Sequence, residues 1–218
     1  MTNPLSSLDT LNTLNTINTL DKLVRGFADP VHDAQASFRV LLDVLARPGT
    51  IGSIDVALDD DVHRQWPAAA FAAMLTLVDF STPVWLQAPD AALAQAIRFH
   101  TGAPLADESD EAAFAYIVDG ENMPPLDAFS LGTPESPQNS ATLLIRAAAL
   151  EGGRPLTLSG PGIRSSVGIA PAGIADTFWH ERASLAAHAP CGIDCYLVCG
   201  RSVIGIPRTT RVEVNSCT

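Results

Sequence analysis

PCGIDCYLVCG, residues 190–200, places Cys191, Cys195 and Cys199 at two successive four-residue intervals. Whether this stretch is a helix or a strand decides both the fold and the chemistry. On a helix, four-residue steps bring side chains about 6 Å apart on one face, close enough for thiolates to share a metal. On a strand the same step covers roughly 13 Å, too far for one metal and beyond the roughly 7 Å reach of a disulfide. Pro190, Gly192 and Gly200 bracket the stretch, and Ile193, Tyr196 and Val198 favour extended backbone, so the sequence predicts a strand from Ile193 to Cys199. Cys195 and Cys199 then share a face with Ile193 and Leu197 as small core residues. The C-x3-C-x3-C spacing also misses by one residue the C-x3-C-x2-C pattern that binds a radical iron–sulfur cluster, and no metal site is expected.

Working outward, Arg201–Ile206 is expected to close a hairpin around Gly200, and a helix is expected over 173–187. Ala141–Leu150 and Pro155–Ser159 read as strands, with Glu151-Gly152-Gly153-Arg154 as a turn between them. Further strands are expected at 50–58, 82–86 and 114–118, and residues 120–140, rich in Gly, Pro, Asn and Ser, as a long loop. Asp29-Pro30 supplies an N-cap and a first-turn proline, and Val31, Ala34, Phe38, Leu41, Leu42 and Leu45 follow at helical spacing until Arg47-Pro48-Gly49, predicting a helix over 30–46. An apolar, alanine-rich helix over 67–79 and one capped by Asp90 and running to Phe99 complete the pattern. Helices interleaved with strands, plus two hairpins, imply a three-layer α/β/α domain with a mixed sheet.

Residues 8–23 repeat an aliphatic side chain every third position, a stripe that winds round a helix instead of forming one face. The expected organisation is a low-complexity extension over 1–25, a single α/β domain over 26–214 and a tail over 215–218. With 218 residues and 47% hydrophobic content the chain holds one sizeable core. The N-terminus lacks a basic segment leading into an apolar one, and no apolar run approaches the roughly 18 residues of a membrane span, so no membrane association and a cytoplasmic location are expected.

The formal charge of −11 argues against a nucleic-acid partner. Residues 1–139 carry 19 acids and 6 bases, whereas 140–218 carry 5 acids and 7 bases, so an anionic ligand is expected on the C-terminal third. Lys22 is the sole lysine, which speaks against Schiff-base or Walker-type lysine chemistry. His180-Glu181 begins like H-E-x-x-H, but the fifth position is Ser184; Ser165 and Ser166 lie outside any G-x-S-x-G. His180 and His188 read as surface or cap residues, and His100 as a helix-end imidazole. Two places suit an anion: the turn SGPGIRSSVG (159–168), with Gly160, Gly162 and Arg164, and IPRTTRVEV (206–214), with Arg208, Thr209 and Thr210. A tight turn explains the first equally well, and a salt-bridged strand the second.

DAQASFRVLLDVLARPGTIG (33–52), LVDFSTPVW (77–85), FHTGAP (99–104), SAT (140–142), SGPGI (159–163), GID (192–194) and PRTTRVEV (207–214) resemble, in this order, the phosphonate-metabolism family PhnH, a subunit of the carbon–phosphorus lyase core complex. The resemblance covers about residues 26–214 and leaves out the leucine repeat and the NSCT tail. It implies a fold like the large domain of pyridoxal-phosphate-dependent transferases without the cofactor, a homodimer, and assembly with subunits G, I and J. It also implies a role in displacing adenine from ATP with an alkylphosphonate to give ribose 1-phosphonate 5-triphosphate, a separate radical step elsewhere breaking the carbon–phosphorus bond. It supplies no catalytic residue. The alternatives are a free-standing transferase or hydrolase acting on a phosphorylated small molecule, and a metal module built on the cysteines.

Overall fold

Asp29 begins the first described helix as the caps require. Its carboxylate accepts from the Val31 and His32 amides at 3.2 and 3.1 Å, and α1 runs Pro30–Ala46, ending at the Arg47-Pro48 break. The computed structural model describes residues 23–214. The leucine repeat, apart from Leu23, and the tail after Val214 lie outside them. Val24 already joins the core, and the His100 Nε2–H donates to the Val24 carbonyl at 2.9 Å, so the chain is anchored slightly before the expected boundary.

The main sheet has six strands: β1 (Ile51–Ser53), β2 (Val84–Leu86), β3 (Phe114–Ile117), β4 (Thr142–Arg146), β7 (Asp194–Cys199) and β8 (Ser202–Ile206). Their order is β1-β8-β7-β4-β3-β2, with β7, β4, β3 and β2 parallel and β8 and β1 antiparallel to their neighbours. The mixed sheet and the β7–β8 hairpin match the expectation. A smaller sheet, ordered β6-β5-β9, joins β5 (Leu156–Ser159), β6 (Val167–Ile169) and β9 (Arg211–Val214).

Side-chain alternation on the main strands divides the core into two layers. Tyr116, Leu144, Tyr196, Val198 and Val203 face α1, α2 (Asp60–Gln65), α3 (Ala68–Leu77) and α4 (Ala91–Thr101). Ala115, Leu143, Ile145, Cys195, Leu197 and Ile206 face the small sheet and α5 (Asp176–Leu185). The second outer layer is thus a three-stranded sheet with one helix, where the sequence reading has helices. Burial of side chains such as Leu41, Phe71 and Ile97, each fully enclosed, contributes about 1.5–3 kcal/mol apiece. In α3 every residue from Ala68 to Met74 is buried, and the alanines let neighbouring backbones approach closely.

The expected β4–β5 hairpin does not form. β5 pairs with β6 and β9, and residues 148–153 lie instead against 170–172, with Ala148 N–H on the Ala172 carbonyl at 2.9 Å and Gly153 N–H on the Ala170 carbonyl at 2.8 Å. A side chain at Gly153 would lie 2.1 Å from the Pro171 carbonyl oxygen, so this glycine serves a close crossing of two backbones and not a turn. The strand expected over 50–58 is confined to Ile51–Ser53, and α2 follows where no helix was expected. Residues 120–140 form the long loop anticipated, with 3₁₀ turns at Leu126–Ala128 and Pro137–Asn139. No described helix is long and apolar enough to cross a membrane.

Candidate functional site

Antiparallel pairing of β7 with β8 brings Asp194, the first residue of β7, beside the segment leaving β8, because Cys195 stands opposite Ile206. The Asp194 carboxylate accepts from the Arg208 amide at 2.7 Å and from the Arg208 side chain at 3.1 Å (Nε) and 2.5 Å (Nη2), a two-pronged pair with both side chains only 19% exposed. Arg208 Nη1 donates to the Pro137 carbonyl, which ties the end of the long loop to the hairpin. Arg208 is therefore committed within the fold.

Arg182 on α5 is fully enclosed and donates to the Pro207 carbonyl and, at 3.3 Å, to the Arg208 carbonyl. It has no ion-pair partner among the described residues, and its Nε finds no acceptor there. Thr210 is buried with its hydroxyl unpaired among the described residues, and Thr209 is exposed. Gly160 adjoins this segment: a side chain there would come within 3.0 Å of the Thr209 carbonyl. Gly162 has φ +82°, and a side chain there would lie 2.3 Å from the Ala46 carbonyl, so the turn is pressed onto the end of α1. Arg164 projects into solvent without a partner among the described residues. Of the six candidates, then, Gly160 and Thr209 meet and Arg208 and Thr210 serve the interior. Arg164 and Thr209 keep polar groups at the surface.

Cys195 takes its place on β7 with Ile193, Leu197 and Cys199 on the core face, as expected of a strand. Burial pushes its thiol up to about 12 against the pull of the Arg182 charge. A thiol-directed reagent at pH 8 is expected to modify Cys195 only after unfolding, read by peptide mapping; rapid modification of Cys195 itself in the native protein would contradict this burial. Cys191 lies before the strand and is half-buried. Glu181, which resembled part of a zinc motif, accepts the Leu126 amide at 2.8 Å and holds the long loop to α5.

Two groups of residues escaped the sequence reading. Asp194 and Arg182 are the partners that lock the Arg208 segment, and the aspartate of GID was the available signal. At the opposite, carboxyl ends of the parallel strands, Arg64 and Arg146 line a cavity of about 200 Å³ together with His63, which in turn contacts Arg201 at 3.2 Å. No local motif unites these four residues.

A family model described as bacterial phosphonate metabolism protein (PhnH) matches residues 25–213, and so covers every described helix and all the described strands but the last residue of β9. The chain belongs to the PhnH family. It is 44% identical over 190 residues to the alpha-D-ribose 1-methylphosphonate 5-triphosphate synthase subunit PhnH of Rhizobium meliloti (strain 1021), covering 86% of this chain and 94% of that protein. It is 33% identical over 181 residues to HtxG of Stutzerimonas stutzeri, which its name assigns to a C-P lyase; that match covers 83% of this chain and 86% of HtxG. The PhnH match begins at Arg25, directly after Val24 enters the core.

Proposed function

We propose that this chain is a non-autonomous cytoplasmic subunit of a carbon–phosphorus lyase complex. With subunits G, I and J it acts in coupling an alkylphosphonate to ATP, with loss of adenine, to give ribose 1-phosphonate 5-triphosphate. The observation that carries this reading is the 44% identity across 94% of a relative named as a subunit of the methylphosphonate 5-triphosphate synthase. The side-chain chemistry is consistent with a subunit role. The histidine side chains that form hydrogen bonds among the described residues pair with Asp29, Arg201 and the Val24 carbonyl.

The same reading includes a homodimer, for which Val31, Phe38 and Leu42, exposed along one side of α1, supply an apolar contact surface. It includes the likeness of the main sheet to the large domain of pyridoxal-phosphate-dependent transferases, working without that cofactor: the one lysine, Lys22, precedes the matched region. Arg164 and Thr209, beside Gly160 and Gly162, are the groups at the amino ends of the strands available to a phosphate; Arg208 and Thr210 hold that segment in place. The test is adenine release from ATP and methylphosphonate by the purified chain, alone and mixed with its three partner subunits. Adenine is expected only from the mixture. Release by the chain alone would sink the subunit reading in favour of a free-standing transferase.

A further inference from the structure

In open α/β sheets, ligands bind beyond the carboxyl ends of the parallel strands, where loops diverge and backbone N–H groups and side chains converge. Arg208 and its neighbours lie at the other end, next to Asp194, which starts β7. The carboxyl end holds a different cluster. Arg146 is the last residue of β4 and stands opposite Val198 on β7, which holds its backbone in the sheet. Its side chain is exposed to a cavity of about 200 Å³, where it has no hydrogen bond or ion pair with any described residue. A planar group with five donors thus lines the recess with its own hydrogen-bonding capacity unused among the described residues.

The surrounding groups carry the same polarity. Arg64 lines the cavity and reaches Asp61 at 3.2 Å, a solvent-exposed pair that holds the guanidinium only weakly. Arg201 donates to the Val56 carbonyl at 2.9 Å and, through Nη2, to His63 Nε2 at 3.2 Å. An arginine cannot accept, so His63 Nε2 is the acceptor and its proton rests on Nδ1, leaving a further N–H donor on this cavity-lining ring. Trp66 and Pro67, at the start of α3, complete that wall; the helix has no side-chain cap, and its amino end adds a partial positive charge. The Tyr116 hydroxyl is buried, has no partner among the described residues, and feels the charges of Arg146 and Asp90. Asp90 is itself engaged by the Trp66 indole N–H at 2.7 Å and the Leu93 amide at 3.0 Å. In a chain of net charge −11, this is a local concentration of donors, with Asp61 paired to Arg64 and Asp90 to Trp66 and Leu93.

We propose that this cavity binds one tetrahedral phosphoryl or phosphonyl oxyanion, gripped by Arg146 and Arg64 with His63 as a further donor. The volume falls below the roughly 300 Å³ at which small-molecule pockets begin, so it accepts the charged group and not a whole nucleotide. Two arginines supply paired N–H donors to such a group, and Arg201, held by the Val56 carbonyl, positions the His63 ring. The inference stands on this geometry and does not depend on the assignment to a lyase complex.

Calorimetric titration of the full-length chain with inorganic phosphate, methylphosphonate and tripolyphosphate tests it. One saturable site per chain is expected, weakening with added salt. Arg146→Met is expected to reduce affinity at least ten-fold and Arg64→Met several-fold, whereas Arg39→Met, on an exposed face of α1, leaves it unchanged. Thermal melts confirm that the variants are folded, which the exposure of all three side chains favours. Tightest binding of methylphosphonate identifies a phosphonyl site, and tightest binding of tripolyphosphate the end of a triphosphate; either supports the proposal. It is overturned if none of the probes binds saturably at millimolar concentration, or if both cavity variants bind as the unaltered chain does. Because the chain is titrated alone, failure of the assembled complex to release adenine bears on the subunit reading and not on this site.

Discussion

Asp194→Ala is expected to lower the stability of the protein by about 3–5 kcal/mol, because it strips a half-buried arginine of its carboxylate without removing the arginine. The Asp194 side chain takes three hydrogen bonds from Arg208, and both side chains are only 19% exposed, so solvent replaces little of what is lost. The damage does not stop at the pair. Arg208 also holds the Pro137 carbonyl, and the carbonyls of Pro207 and Arg208 are acceptors for the enclosed Arg182. Loosening Arg208 therefore frees the end of the 120–140 loop and exposes a second buried cation to a poorer set of acceptors. For a chain of this length the loss corresponds to a fall of about 6–20 °C in melting temperature. Asp194→Ala combined with Arg208→Ala is expected to be less damaging than the sum of the two single changes, since each single change leaves one charge unpaired. Additive losses, or a fall in melting temperature too small to measure, would show that solvent satisfies these groups and that the pair does not hold the loop.

This network also marks where reading the sequence stops. Helix α1 was legible to its end residues because the signals are local: an aspartate and proline at one end, an arginine, proline and glycine at the other. The β7–β8 hairpin was legible for the same reason, with β-favouring residues on both sides of Gly200. The crossing at Gly152-Gly153 was misread as a hairpin turn because two glycines look the same whether they permit a turn or a close backbone contact; what distinguishes them is Pro171, some twenty residues away. The small sheet was missed because β9 pairs with β5 across more than fifty residues, and its register depends on tertiary packing. The arginine of PRTT was recognisable as an anion-binding type, but its fourteen-residue separation from Asp194 hid that the anion is supplied by the chain itself. Arg64, Arg146 and Arg201 come from a short helix, a central strand and a hairpin, and their convergence depends on strand order.

Gly205→Val is expected to disrupt the packing of α1 on the sheet and leave little folded protein at physiological temperature, with Gly205→Ala costing about 1–3 kcal/mol. Gly205 is the fourth of the five residues of β8, opposite Tyr196 on β7. A side-chain carbon there would lie 2.7 Å from the carbonyl carbon and oxygen of Val44 and 2.8 Å from the Leu45 nitrogen, all backbone atoms of α1. The helix backbone is thus laid directly on the strand, and the Tyr196 hydroxyl, donating to the Leu41 carbonyl at 3.4 Å, holds it one turn away. No rotamer change relieves a clash with backbone; the whole helix must lift, and with it the fully buried Leu41 and Val44. Gly52 provides the comparison. A side chain there would meet Val40 and Val44 methyl groups at 2.8 Å, atoms at the ends of side chains that can shift, so Gly52→Ala should cost less than Gly205→Ala. Denaturant melts of the two alanine variants decide the matter. If Gly52→Ala proves the more harmful, the close approach of α1 to β8 is not what holds this layer. If the order is as expected, the glycine sets the distance between the helix and the sheet.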